Sequence, residues 1–112
     1  MNQDLDLKAK VKQILKVVQD LAPGRSVELR IPPYAAIQCM EGINYRRGTP
    51  PNVVEMSAET LIDLTHNPEK WQKFHEIGLI SASGANSDLS PIFYQMAKLS
   101  KSTEGIINGK QD

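Results

Sequence analysis

Few residues in this sequence are equipped for chemistry, and their spacing sets the first constraint. Cys39 is the only cysteine, and His66 and His75 are the only histidines. A lone cysteine builds neither an intrachain disulfide nor a thiolate metal cage. It would serve as a nucleophile only if a base or a positive helix end lowered its pKa, and its neighbours Ile37 and Met40 are core-type residues instead. The histidines are separated by Asn67-Pro68 and fall on two different expected helices, so they form no i, i+4 pair that could clamp a metal. Gly-x-Gly-x-x-Gly, Gly-x-x-x-x-Gly-Lys, His-Glu-x-x-His and Gly-x-Ser-x-Gly are all absent. With no paired carboxylates either, the residues provide no catalytic group, metal set or cofactor motif, and a non-enzyme is expected.

Two groups of residues suit binding rather than catalysis. Arg46 and Arg47 stand beside Tyr45 in a turn-rich stretch from Gly42 to Asn52. Guanidinium forks there would seat a carboxylate or phosphate head group; the alternative is a solvated crossover stiffened by Pro50-Pro51. The second group is apolar: Leu61, Leu64, Trp71, Phe74, Ile80, Phe93 and Met96, with Met a wall that adapts to variable ligands. These side chains would either line a cavity over a sheet or form the core itself, and periodicity does not separate the two.

The elements that must position these residues emerge from pattern. Leu7, Val11, Ile14, Leu15, Val18 and Leu21 make one stripe of an amphipathic helix over 4–22, stopped by Pro23-Gly24. Val27, Leu29 and Ile31 alternate with Ser26, Glu28 and Arg30, a half-buried strand ended by Pro32-Pro33. A second strand is expected over 34–41, dense enough in apolar residues to be covered on both faces, and a third over 53–56. Ser57 is placed to cap a helix over 58–65. Asn67-Pro68-Glu69 signals another helix start, closed by Gly78, with Trp71, Phe74 and Ile77 on one face. A short strand over 79–83 precedes a last helix that starts at Ser90-Pro91 and repeats Leu89, Ile92, Phe93, Met96 and Leu99. The pattern is lost over 100–112, which reads as a mobile tail on a single domain spanning 1–99. This order gives an α+β class, a mainly antiparallel sheet of four or five strands with helices packed on one face.

Composition narrows the partners. Thirteen basic and thirteen acidic residues cancel, so no global field draws nucleic acid or an anionic membrane. Aromatics at 5% leave little for stacking on bases. No run approaches a membrane span or a signal-peptide apolar block, and with one cysteine the reading is cytoplasmic, with no stable membrane insertion.

A resemblance extends this reading. The run Val53-Val54-Glu55-Met56-Ser57, the helix over 58–65, the helix around Trp71 and Phe74, Ile77-Gly78-Leu79-Ile80-Ser81-Ala82-Ser83-Gly84 and then Leu89 to Leu99 resemble the C-terminal half of the sterol carrier protein fold. More narrowly, Arg30-Ile31-Pro32-Pro33-Tyr34-Ala35-Ala36-Ile37-Gln38-Cys39 and Arg47-Gly48-Thr49-Pro50-Pro51-Asn52-Val53-Val54-Glu55 resemble small bacterial sterol-carrier orthologues typical of actinobacteria. The resemblance implies a sheet backed by helices around an apolar tunnel that carries sterols, fatty acids or acyl-CoA without chemistry. One strand stands before Pro32 where the broader family has two, which implies a smaller sheet and a shallower tunnel. The expected function is therefore carriage of a hydrophobic or amphipathic small molecule, with no cofactor. The head group would meet Arg46 and Arg47, and the apolar part Leu61, Leu64, Trp71, Phe74, Ile80, Phe93 and Met96. The alternative is an accessory interaction module with a filled core that serves a protein partner.

Overall fold

Alternation along the chain becomes a four-stranded sheet in the computed structural model, which describes residues 2–42 and 51–109, with side chains over 4–42 and 51–100. The strands are β1 (Val27–Ile31), β2 (Ala35–Cys39), β3 (Asn52–Met56) and β4 (Ile80–Ser83), in the spatial order β2-β1-β3-β4. β1 pairs antiparallel with β2, and β3 with β4, but β1 and β3 run parallel. The sheet is mixed and open, in an α+β fold consistent with the sterol carrier architecture. The parallel central pair is what the sequence does not reveal, because strand pairing depends on where the crossover after β2 leads rather than on either strand's own residues.

Register places the apolar positions on one face. Leu29 lies opposite Ile37 on β2 and Val54 on β3, and Val54 lies opposite Ala82 on β4. The other face carries Glu28, Arg30, Glu55, Gln38 and Ser81. There Arg30 reaches Glu28 at 3.5 Å and Glu55 at 3.8 Å, exposed pairs that keep the face polar and add at most about 1 kcal/mol each. The expectation that β2 is covered on both faces is thereby corrected. Ala35, Ile37 and Cys39 lie on the apolar face, opposite Ile31, Leu29 and Val27, whereas Ala36 is exposed on the polar face beside Gln38.

Helices cover the apolar face. α1 (Asn2–Leu21) crosses β2 and buries Val11, Leu15 and Val18 completely. Gly24 then turns the chain with φ +149, and a side chain there would collide with the Met40 carbonyl. That carbonyl accepts from the Ser26 N–H at 3.0 Å, while the Met40 N–H donates to Ala22 O at 2.7 Å, tying the end of α1 to the end of β2. Ile31 and Tyr34 close the β1–β2 turn through a 2.8 Å backbone bond around a cis Pro32–Pro33 peptide.

α2 (Ala58–His66) begins as its sequence predicts, with Ser57 Oγ accepting from the Thr60 N–H at 3.1 Å. Asn67 stands at the cap position before Pro68, as its sequence predicts, but its side chain makes no capping bond there. Its Nδ2 donates back to Asp63 Oδ1 at 2.8 Å, a charged acceptor stronger than a neutral one. A 3-10 turn (Pro68–Lys70) then leads into the short α3 (Trp71–Glu76). Gly78, at φ +86, supplies the left-handed exit. Ile77 and Leu79 flank it at 55% and 47% exposure, so Ile77 leaves the buried face expected for it once α3 ends at Glu76.

The last helix, α4 (Ser90–Gly109), starts at Ser90-Pro91 as expected but continues beyond Leu99, where its apolar stripe ends. Loss of the apolar period there does not end the backbone hydrogen-bond ladder. Leu89, Ile92 and Phe93 complete a single apolar core with Leu61, Leu64 and the sheet.

Candidate functional site

The apolar candidates divide by depth. Leu61, Leu64 and Phe93 are 0% exposed and Ile80 is 2% exposed; their side chains fill the core between sheet and helices. Phe74 and Met96 are half-buried and pack against its edge. Trp71, 8% exposed, sits at the boundary, its ring 6.1 Å from that of Phe93 and tilted by 31°. Arg46 and Arg47 lie outside the described residues.

Trp71 opens onto a cleft of about 390 Å³, within the range of small-molecule sites. The 3-10 turn contributes Pro68 and Glu69, and α3 contributes Trp71, Gln72 and His75. β4 supplies Ala82 as the floor, the loop after it supplies Ser87 and Asp88, and α4 supplies Ser90 and Tyr94. The lining is apolar and polar in similar measure, with two aromatic rings, Trp71 and Tyr94, beside two carboxylates.

The loop between β4 and α4 is held from below by Asn52. This residue is 3% exposed, and its Nδ2 donates to Ser26 O at 2.9 Å and Ser26 Oγ at 3.2 Å. Its Oδ1 accepts from the Asn86 N–H at 3.0 Å. Gly84 (φ +102) permits this approach, because a Cβ there would stand on the Asn52 side-chain oxygen. Ser87 Oγ donates to Gly84 O at 3.0 Å, and Asp88 Oδ1 accepts from the Ser90 N–H at 2.9 Å, capping α4 where the cleft begins. One buried amide thus links the start of β1, the start of β3 and the loop that carries Ser87 and Asp88.

Two other clefts differ in kind. One, of about 540 Å³, lies between α1, α2 and Tyr34 and is lined by Asp4, Asp6, Lys10 and Glu59 with Leu7 and Ile62. Burial, then the Asp4 and Glu59 carboxylates, push the Tyr34 hydroxyl above its ordinary pKa. The other, of about 480 Å³, lies along the polar sheet face by Arg30, Glu55 and Pro32-Pro33. Neither is walled by the aromatic and aliphatic residues singled out by sequence.

Cys39 is fully buried, and that burial pushes its thiol up to about 11, away from the thiolate a nucleophile needs. Among the described residues no three His, Cys, Asp or Glu side chains group to hold a metal ion. Among them, too, no helix is long and apolar enough to cross a membrane.

A model of the bacterial SCP ortholog family matches residues 4–93, from the start of α1 to Phe93 of α4. The chain belongs to this family of sterol carrier protein orthologues. No curated protein matches it. For a bacterial SCP ortholog the open four-stranded sheet and its one-sided helical cover are the expected frame, and membership points at a coarse level to carriage of lipid-like molecules. The match covers the whole cleft except Tyr94, one position past the last matched residue.

Asn52, Asp88 and Tyr94 are residues of this site that sequence reasoning passes over, and His75 it weighs only as a metal ligand. Asn52 comes directly after Pro50-Pro51 and reads as loop, and Tyr94 stands one position after a core phenylalanine, off the apolar stripe. The single usable signal is Ser87-Asp88 before Ser90-Pro91, a helix-capping pattern that marks where an ordered loop must end.

Proposed function

We propose that this bacterial SCP ortholog binds and carries a small molecule with a hydrophobic part, without covalent chemistry, in the cytoplasm. The observation that carries the reading is the cleft beside Trp71, an opening at the edge of an otherwise filled core in a chain of this family. Because Leu61, Leu64, Ile80 and Phe93 are packed against one another, the ligand is held at the margin of the core rather than along its length. Trp71 and Tyr94 grip the apolar part, and the polar lining meets the head group, whereas Phe74 and Met96 lie outside the lining and pack against the core. Each methylene removed from water contributes about 0.8 kcal/mol, so a short chain suffices for useful affinity after the costs of association.

Native mass spectrometry of protein purified from its own host tests this. The expected result is a species heavier than the bare 12.5 kDa chain by the mass of an apolar small molecule, released by organic solvent. The bare species alone, unchanged after incubation with a fluorescent acyl probe, overturns it.

A second reading has its own observation. Ile77, Leu79, Tyr94 and Leu99 are large apolar side chains that remain 47–55% exposed. They suit an accessory module that docks on an enzyme encoded elsewhere, a role a filled core also serves. Co-purification of one stoichiometric partner, lost on Ile77→Ser with Leu79→Ser, would favour this role over carriage.

A further inference from the structure

We infer that the Trp71 cleft is a short single-chain site. It accepts one unbranched aliphatic segment of about 13 heavy atoms, head group included, and it excludes sterols. Ala82 sets its depth. The inference rests on the carrier reading and names the size and class of ligand that this site admits.

Capacity follows from the volume and from walls that do not give. At about 30 Å³ per heavy atom, a water's share of the liquid, a cleft of about 390 Å³ holds about 13 atoms. A sterol, at about 28 heavy atoms, needs more than twice that room. A flexible chain that is too long leaves its excess in water, whereas a fused-ring body cannot divide itself between cleft and solvent. No reserve of space lies behind the lining. Leu64, Ile80 and Phe93 belong to the filled core, and the Trp71 ring already stands 6.1 Å from that of Phe93, so its retreat would displace packed side chains. The loop wall is fixed too, because the Asn86 N–H donates to the buried Asn52 and Ser87 Oγ to Gly84 O.

Depth depends on one residue. Among the described residues Ala82 is the strand residue of the lining, and every other comes from the 3-10 turn, a helix or the loop after β4. It lies opposite Val54 in the ladder, on the face of the sheet that the helices cover. Side chains stand off a sheet, so a larger residue at this position rises into the space a ligand would fill. Val or Leu there adds two or three carbons and removes room for about as many ligand atoms. Ser81 and Ser83 project from the opposite, polar face and leave the cleft untouched.

Trp71 is the only tryptophan in the chain and lines the cleft, so its emission reports on occupancy. The full chain is titrated with saturated fatty acids from hexanoate to octadecanoate, each below its micelle concentration, and with cholesterol delivered from cyclodextrin. Affinity is expected to rise about fourfold per added methylene up to about eleven carbons and to level off beyond. Cholesterol is expected to leave the emission unchanged. In Ala82→Val the break moves to about nine carbons and in Ala82→Leu to about eight, whereas Ser81→Val, on the other face, keeps it in place. Valine suits a strand, so the Ala82→Val variant decides the point if the leucine variant does not fold, and far-UV spectra and urea midpoints verify each. Affinity that keeps climbing to octadecanoate, binding of cholesterol, or a break unmoved by the Ala82 variants overturns the size assignment and leaves carriage standing. If no fatty acid shifts Trp71 while host-purified protein retains a small molecule, the assignment again falls alone. If none binds and the host-purified protein is bare, the assignment and the carrier reading fall together.

Discussion

The two ends of the sheet meet the same requirement, an apolar face that must be covered, with helices of very different length. Over β2 lies α1, twenty residues and so about 30 Å long, enough to set Val11, Leu15 and Val18 along the strand and to bury Cys39 at its end completely. Beside β4 the cover is a three-residue 3-10 turn and the six-residue α3, about 9 Å of helix. That length carries one deep anchor, Trp71, and little more. Phe74 is half-buried, Ile77 and Leu79 face solvent, and Ala82 forms the floor of an open cleft. The difference teaches where a small domain can keep space for a ligand. Its interior is already occupied by the side chains that hold it together, and beside Trp71 an opening remains where the covering element is too short to close.

The largest expected effect distinguishes the filled core from the open margin. Phe93→Ala removes a fully buried ring and should destabilise the fold by about 3–5 kcal/mol in urea unfolding. A loss under about 1 kcal/mol would mean that the region behind Trp71 is not packed, and the contrast would fail.

Next comes a pH effect at the sealed end. Burial raises Cys39 from 9.0 to about 11 in the folded state. In the unfolded chain the thiol ionises first, so its contribution is fully present below about pH 9 and is lost as pH rises through about 11. The loss is roughly 3 kcal/mol. Unfolding of the wild type and of Cys39→Ala compared across that window should diverge by this amount, which separates it from tyrosine and lysine titration common to both. Parallel curves would show the α1 side to be as open to water as the cleft.

Asn52→Ala is expected to cost about 1–3 kcal/mol, because it leaves the Asn86 N–H without its acceptor and breaks the tie to Ser26. Amide exchange should quicken at Asn86 before it does in β1. Uniform acceleration would mean that the cleft loop and the sheet open together and that the margin is not a separable region. The smallest effect is at the margin itself. Tyr94→Ala should change stability by no more than about 0.5 kcal/mol, since the ring is 51% exposed, while weakening uptake of the fluorescent acyl probe.

Much of the frame was legible from residue order. The alternation of Val27, Leu29 and Ile31 announced β1, Ser57 announced α2, and Gly78 announced the end of α3, because each signal acts within a few residues of itself. The site was legible only in part. Trp71 stood out as a large aromatic at helical spacing, but the same spacing described Leu61, Leu64 and Phe93, which fill the core. Periodicity identifies a buried face without saying whether that face meets protein or ligand. Asn67 marked the start of the 3-10 turn correctly, but its side chain bonds back to the carboxylate of Asp63 rather than to the turn, a charged acceptor that residue order alone does not single out.

By itself the sequence determined the class of elements, their order and most of their ends, together with a family match spanning residues 4–93, since hydrophobic period, caps and turns are local properties of the chain. Tertiary structure decided the parallel pairing of β1 with β3, the burial of Asn52 beneath a loop 34 positions away, and the division of one apolar set into core and cleft wall. Each of these depends on which distant segments meet, and on whether the helix that arrives is long enough to cover what it meets.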